Sequence, residues 1–191
     1  MTLTRRLCLT GLICAAAAPA RAAPAAYALD PEGSEVRFTF RIGDVTGAGT
    51  MPVSTADIVL DFDAAARSSA TVTLAADRAA TGVGLMDSAL KSGDVLDTDR
   101  FPDIRFVSTS FAATEGGAVV RGDVTVRGVT RPLTLRATIF RPPGSTPGDR
   151  SRLTVRLTGQ IDRHDFGASG FAGLVEPIVT LDIRARLLRA D

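Results

Sequence analysis

The chain has 191 residues, 45% of them apolar and 23% charged, with 22 Lys+Arg against 21 Asp+Glu. A balance this close to neutral supplies no basic field for nucleic acid or for an anionic membrane surface, so neither is expected as a partner. The length is enough for one self-sufficient core.

The first residues, "MTLTRRLCLTGLICAAAAPARA", read as an export signal. Two arginines precede an apolar run from Leu7 to about Ala18, and Ala20-Arg21-Ala22 has the small-x-small form of a cleavage site. The run is too short to span a bilayer, so no stable membrane insertion is expected. Cleavage near Ala22 would leave residues 23–191 as an exported domain with a net charge of about −2. Arg5-Arg6 ahead of Leu7 loosely resembles a twin-arginine signal, which leaves the export route open. Cys14 follows bulky Leu12 and Ile13, a poor context for lipid anchoring. Both cysteines, Cys8 and Cys14, fall inside the signal, so the exported domain has neither a disulfide nor a thiol nucleophile.

Beyond the signal, alternation with a period of two dominates. In "EVRFTFRI", Val36, Phe38, Phe40 and Ile42 point one way and Arg37, Thr39 and Arg41 the other, which predicts a strand with one wet face. Gly47 and Gly49 read as turn formers. Ile58, Leu60 and Phe62 mark the next strand, with Asp61 and Asp63 on its outer face, and Asp63 to Ser69 forms a turn. Val72 and Leu74 follow.

"GVGLMDSALKSGDVLDTDRF" breaks the pattern. Leu85, Met86, Ala89 and Leu90 cluster at helical spacing and stop at Ser92-Gly93, which predicts a short helix over one end of the sheet. Alternation then resumes at Ile104 and Phe106, Val124 and Val126, Leu133 to Ile139, Leu153 to Leu157, and Val179 to Leu187. Gly116-Gly117, Gly128 and the Arg141–Ser151 loop separate these runs, and Pro102 and Pro132 sit at strand beginnings. About eight strands result, in one domain over residues 23–191. An antiparallel barrel removes the exposed edges that a sandwich must protect, so the pattern favours the barrel and leaves the sandwich open. At eight strands the interior is either filled by side chains or holds one slender ligand.

Candidate chemistry is sparse. His164 is the single histidine, between Arg163 and Asp165 on the strand that begins at Leu153; with no second histidine or cysteine in the exported part, a metal site lacks ligands, and none is expected. A solvated surface residue is the ordinary reading, and a hydrolase-like base is the alternative. Asp94, Asp97 and Asp99 lack the glycine and terminal glutamate of a calcium loop. No serine sits in a G-x-S-x-G elbow, and Gly47-Ala48-Gly49 and Gly82-Val83-Gly84 lack the context of a phosphate cradle. No cofactor is expected. What remains is an apolar face with nine phenylalanines, one tyrosine and no tryptophan.

Several stretches together resemble the YceI-like family of exported lipid-binding proteins. They are "YALDPEGSEVRFTFRI", "FPDIRFVSTSF", "GDVTVRGVTRPLTL", "IDRHDFGAS" and "EPIVTLDI", in that family's order across nearly all of the exported chain. The resemblance implies an eight-stranded, lipocalin-like antiparallel barrel in the bacterial periplasm, a short helix over one end, and an interior holding a long isoprenoid chain such as a polyprenyl or quinone tail. It implies no enzymatic activity. Arg163 and Asp165 then form a structural corner, with His164 an incidental occupant.

The expected lining is Phe38, Phe40, Ile58, Leu60, Leu74, Phe106, Val124, Val126, Leu135, Val155, Leu181 and Ile183, capped by Leu85, Met86 and Leu90. The alternatives are the His164 hydrolase and a packed interaction module without a pocket; a homodimer is left open. Departures from the family pattern occur at Gly33-Ser34, near Ile42-Gly43, along Met86-Asp87-Ser88-Ala89-Leu90 and at Val95-Leu96. They leave the helix-covered entrance less polar and less aromatic than the family pattern.

Overall fold

The computed structural model describes residues 23–141, 144–146 and 148–190. The export signal expected over residues 1–22 lies outside them. Ten strands are present: β1 (Ala25–Leu29), β2 (Glu35–Ile42), β3 (Val45–Met51), β4 (Val53–Leu60), β5 (Ser69–Ala75), β6 (Asp103–Thr114), β7 (Gly117–Val126), β8 (Val129–Phe140), β9 (Arg152–Asp162) and β10 (Ile178–Arg189). One α-helix, α1 (Gly84–Lys91), lies between β5 and β6. The strand order is β1-β4-β5-β6-β7-β8-β9-β10-β2-β3, and a further β1–β10 pairing closes the ring.

β1 and β2 are two halves of one stave. Tyr27–Leu29 pair with Leu187–Arg189, and Glu35–Thr39 pair with Thr180–Arg184, all on the same edge of β10. Across the break, Arg186 stitches the halves together: its carbonyl accepts from the Asp30 amide and its amide donates to Ser34 Oγ, each at 2.9 Å. β3 and β4 form a second broken stave, interrupted at Pro52, which has no amide to offer a ladder. Counted by staves, the fold is a closed antiparallel barrel of eight.

The strand count expected from sequence therefore matches the staves, but β1 and β3 escaped it. Gly47 and Gly49 are not turn residues. They sit within β3, opposite Phe40 and Phe38, and a Cβ on Gly47 would lie 2.6 Å from the Phe40 ring. Glycine at both positions lets the two rings lie across the neighbouring strand.

Two β-bulges matter for the interior. In β6 the register shifts between Ser108 and Ser110, so inward positions change from Ile104 and Phe106 to Phe111 and Ala113. In β4 a shift between Val53 and Thr55 brings Ala56, Ile58 and Leu60 inward after Val53. Pro132 lies inside β8, opposite Asp123. β8 pairs with β9 only from Arg136 onward, so the missing amide costs no ladder bond on that side.

Antiparallel alternation puts the connections at two opposite ends. The helical end carries the β2–β3, β5–β6, β7–β8 and β9–β10 connections, including α1. The far end carries the β4–β5, β6–β7 and β8–β9 connections and the start of β1. The buried apolar residues form three groups along the wall: Tyr27, Ile58, Leu153, Val155, Ala185 and Leu187 towards the far end; Val120, Val124, Val126, Leu133, Leu135 and Phe166 on the β7–β8 side; and Phe38, Met51, Ala76 and Ala79 near α1.

Two further expectations need correction. Asp61 is not on a wet outer face: it is 3% exposed, just past the end of β4. His164 does not continue the strand from Leu153. β9 ends at Asp162, whose carboxylate accepts from the His164 amide at 2.9 Å and caps a 3₁₀ turn over Arg163–Phe166; Gly167, at φ 73°, ends that turn.

A candidate ligand-binding bore

The inward side chains do not fill the barrel. They surround an apolar cavity of about 810 Å³, near the upper end of the range for small-molecule sites, roughly 300–1,000 Å³. Its walls include Phe62, Phe111 and Ile139 at the far end and Met86, Val95 and Phe171 at the helical end, so the space runs along the bore. A packed module without a pocket does not describe this interior.

All fifteen residues expected to line or cap the space border it. Phe38 and Phe40 come from β2, Ile58 and Leu60 from β4, Leu74 from β5, Phe106 from β6, Val124 and Val126 from β7, Leu135 from β8, Val155 from β9, and Leu181 and Ile183 from β10. Leu85, Met86 and Leu90 reach it from α1. They do so unequally, because Leu85 is 83% exposed and stands on the rim. Gly122 occupies a wall position where a Cβ would meet the Phe106 ring at about 2.6 Å, so its lack of a side chain makes room for that ring.

Sequence reasoning missed three kinds of wall residue. Phe111 was hidden by the bulge, since period two continued from Phe106 points it outward. Phe171, Leu174 and Val175 belong to the irregular β9–β10 connection, where no period applies. Asp61 and Arg163 are charged and buried, which no apolar pattern reports.

Neither of these charged groups is free to hold a ligand. Asp61 Oδ1 accepts from the amides of Asp63 at 2.9 Å and Ala64 at 2.8 Å, while Oδ2 accepts from the Arg67 guanidinium at 2.6 Å. Burial pushes this carboxyl up, but the Ala64 and Asp63 amides and Arg67 outweigh it and hold the pKa below the ordinary aspartate value.

Arg163, 7% exposed, is spent on backbone carbonyls. Nε donates to Glu176 O at 3.1 Å, Nη1 to Ala168 O at 2.5 Å and Gly170 O at 2.7 Å, and Nη2 to Val175 O at 2.9 Å. Burial lowers its pKa from the ordinary arginine value, and the Asp162 charge opposes that. The structural corner is therefore Asp162 with Arg163; Asp165, expected there, is exposed.

The same device recurs at Arg127, whose Nη1 donates to Gly93 O at 2.8 Å and Val95 O at 2.6 Å, tying the segment after α1 to the β7–β8 turn. Asp87 braces the helix start by accepting from the Thr81 amide and hydroxyl, each at 2.6 Å, and these bonds hold its carboxyl below the usual range. Within the stretches where the chain departs from the family pattern, Ser34, Ile42, Met86, Ala89, Val95 and Leu96 border the cavity, and Gly33 and Gly43 do not.

His164 is exposed and outside the cavity wall. Among the described residues, no group of three or more His, Cys, Asp or Glu side chains is placed to hold a metal ion. No helix among them is long and apolar enough to cross a membrane.

A closed antiparallel barrel of eight staves, hollow and oily inside, with a short helix at one mouth, defines a lipocalin-like barrel. Within that class the chain belongs to the YceI-like family, whose domain model matches residues 27–187. It is 31% identical over 169 residues to a UPF0312 protein of Pseudomonas savastanoi pv. phaseolicola, covering 85% of this chain and 86% of that one. A UPF0312 protein of Pseudomonas putida is 39% identical over 98 residues, a match that covers 51% of this chain and spans about half (50%) of that relative's length.

Among solved structures, BcnA of Burkholderia cenocepacia superposes with a TM-score of 0.74 at 19% identity, covering 83% of this chain and 99% of that one. A polyisoprenoid binding domain from Saccharophagus degradans superposes with a TM-score of 0.64 at 14% identity, covering 87% and 99%. These two likenesses establish the fold.

Proposed function

We propose that the protein is a periplasmic carrier or storage protein for a long apolar lipid of the isoprenoid type, a polyprenyl or quinone tail, held in the barrel interior without bond making. The observation that carries this is the continuous apolar bore, whose two charged wall residues are already occupied by protein partners. Each methylene moved from water into such a space contributes roughly 0.8 kcal/mol before ordering costs, so a long chain binds by length alone. The polyisoprenoid-binding domain with the same fold supports the ligand class, and the export signal read over residues 1–22 supports the compartment.

The test is organic extraction of protein purified from its native host, followed by mass spectrometry. An isoprenoid is expected; buffer components alone would overturn the proposal. The His164→Ala variant separates carrier from hydrolase, because a carrier keeps its lipid unchanged when this exposed imidazole is removed.

A further inference from the structure

Of the eight large apolar side chains exposed among the described residues, six lie at the helical end: Val45, Val83, Leu85, Phe171, Leu174 and Ile178. Leu85, Phe171 and Leu174 are 83%, 53% and 58% exposed, yet each also borders the cavity. The oily lining thus continues out of the bore onto the surface at this end. Phe171 adds a second observation, since its φ is 59°. A bulky aromatic is strained in the left-handed region, and such strain collects at functional sites. Here it holds a half-exposed ring at the mouth.

We propose that this rim docks the barrel onto a lipid bilayer surface, where the cargo enters and leaves. The proposal rests on the carrier reading for its purpose. A chain that binds by burial does not cross open water readily, because every methylene exposed on the way is returned to water; the mouth must meet an apolar phase directly.

Charge selects the kind of bilayer. Residues 41–46, 76–102, 127–128 and 162–177, which build this end, carry nine carboxylates against six cations. A net acidic collar is repelled by anionic headgroups, so docking uses apolar insertion into a neutral or zwitterionic surface and does not need electrostatic attraction.

The experiment is flotation of the exported chain with phosphatidylcholine vesicles. Wild type is expected to float with them, to do so equally at low and high salt, and to bind less when phosphatidylglycerol is added. The double variant Leu85→Ser/Leu174→Ser is expected to lower vesicle partitioning by at least roughly tenfold, while Phe140→Ser at the far end leaves it unchanged. The three altered side chains are solvent-exposed, and an unchanged thermal unfolding midpoint confirms that the variants fold.

Failure of wild type to float overturns the docking, as does equal partitioning of the double variant. Binding that requires phosphatidylglycerol and vanishes with salt overturns apolar insertion. A concentration-dependent dimer in sedimentation, dissolved by the same substitutions and without flotation, replaces the bilayer with a second copy of the chain. Lipid recovered by extraction together with absent flotation leaves the carrier reading standing and removes only the docking; flotation with no extractable lipid does the reverse.

Discussion

The two ends of the barrel are held shut by different means. At the far end, ring and guanidinium contacts between side chains join hydrogen bonds to the backbone. The Phe62 ring lies edge-on to Tyr27 at 6.4 Å and under the Arg150 guanidinium at 4.7 Å. Tyr27 Oη donates to Arg150 O at 2.9 Å, and Asp61 gathers the turn that follows β4. At the helical end, Arg163 and Arg127 spend their donors on backbone carbonyls and fix the path of two irregular segments without using their neighbours' side chains. Those neighbours, Phe171 and Leu174 among them, are left free to face water. One end is a floor built of mutually satisfied groups. The other is a mouth whose frame is rigid and whose surface is unspent.

The sharpest way to break this comparison is to remove the frame. Arg163→Met leaves one buried and three part-buried carbonyls without their donor, and although such losses do not add, a drop of about 3 kcal/mol in unfolding free energy is expected from urea titration. His164→Ala, one residue along and exposed, should change stability by less than about 0.5 kcal/mol. Similar effects for both variants would mean that Arg163 does not hold the corner.

A smaller effect tests the floor. Phe62→Ala removes an aromatic and a cation–π contact, with an expected loss of about 2 kcal/mol. Because Phe62 borders the cavity, the same change lengthens the space, and the lipid extracted from the variant should shift towards longer chains in mass spectra. An unchanged length distribution would show that the floor lies elsewhere. Tyr27→Phe keeps the ring contact and deletes one hydrogen bond, so only about 1 kcal/mol and no shift in chain length are expected.

The difference between the ends also explains what could be read from sequence. Wall residues such as Phe38, Leu135 and Leu181 were legible because a strand with one wet face alternates strictly, and in a closed barrel every inward position faces the same space. Alternation fails where the backbone steps out of phase, so the bulge at Ser108–Ser110 hid Phe111. It is silent where there is no strand, so the rim residues Phe171 and Leu174 carried no signal. The glycines of β3 were misread because their reason is cross-strand: they make room for Phe38 and Phe40, and register is invisible in a single sequence. Asp61 was misjudged for a related reason, and the burial of Arg163, whose corner role only the family resemblance implied, has no signature in the apolar pattern. Charged residues next to turns are usually solvated, and only the folded backbone shows amides converging on one and carbonyls on the other.

Asp61 supplies the most subtle test of the floor. Desolvation favours its neutral form, but the amide donors of Ala64 and Asp63 and the Arg67 guanidinium favour the charged one more strongly, so its folded pKa lies below that of the unfolded chain, where an aspartate titrates near about 3.9. Below that unfolded value the unfolded chain binds the proton more readily than the folded one. The stabilisation from Asp61 is therefore complete above about pH 4 and is lost as pH falls through the lower folded value. Asp61→Asn keeps the shape and an acceptor for the two amides but presents no charge to Arg67. The variant should be less stable than wild type at neutral pH, and urea midpoints measured on descending pH should bring the two together below about pH 4. Arg67→Ala, which removes the same ion pair from its exposed side, should narrow the gap over the same range. A difference that stays constant with pH would mean that the Asp61 charge contributes nothing and that the floor is held by Phe62, Tyr27 and Arg150 alone.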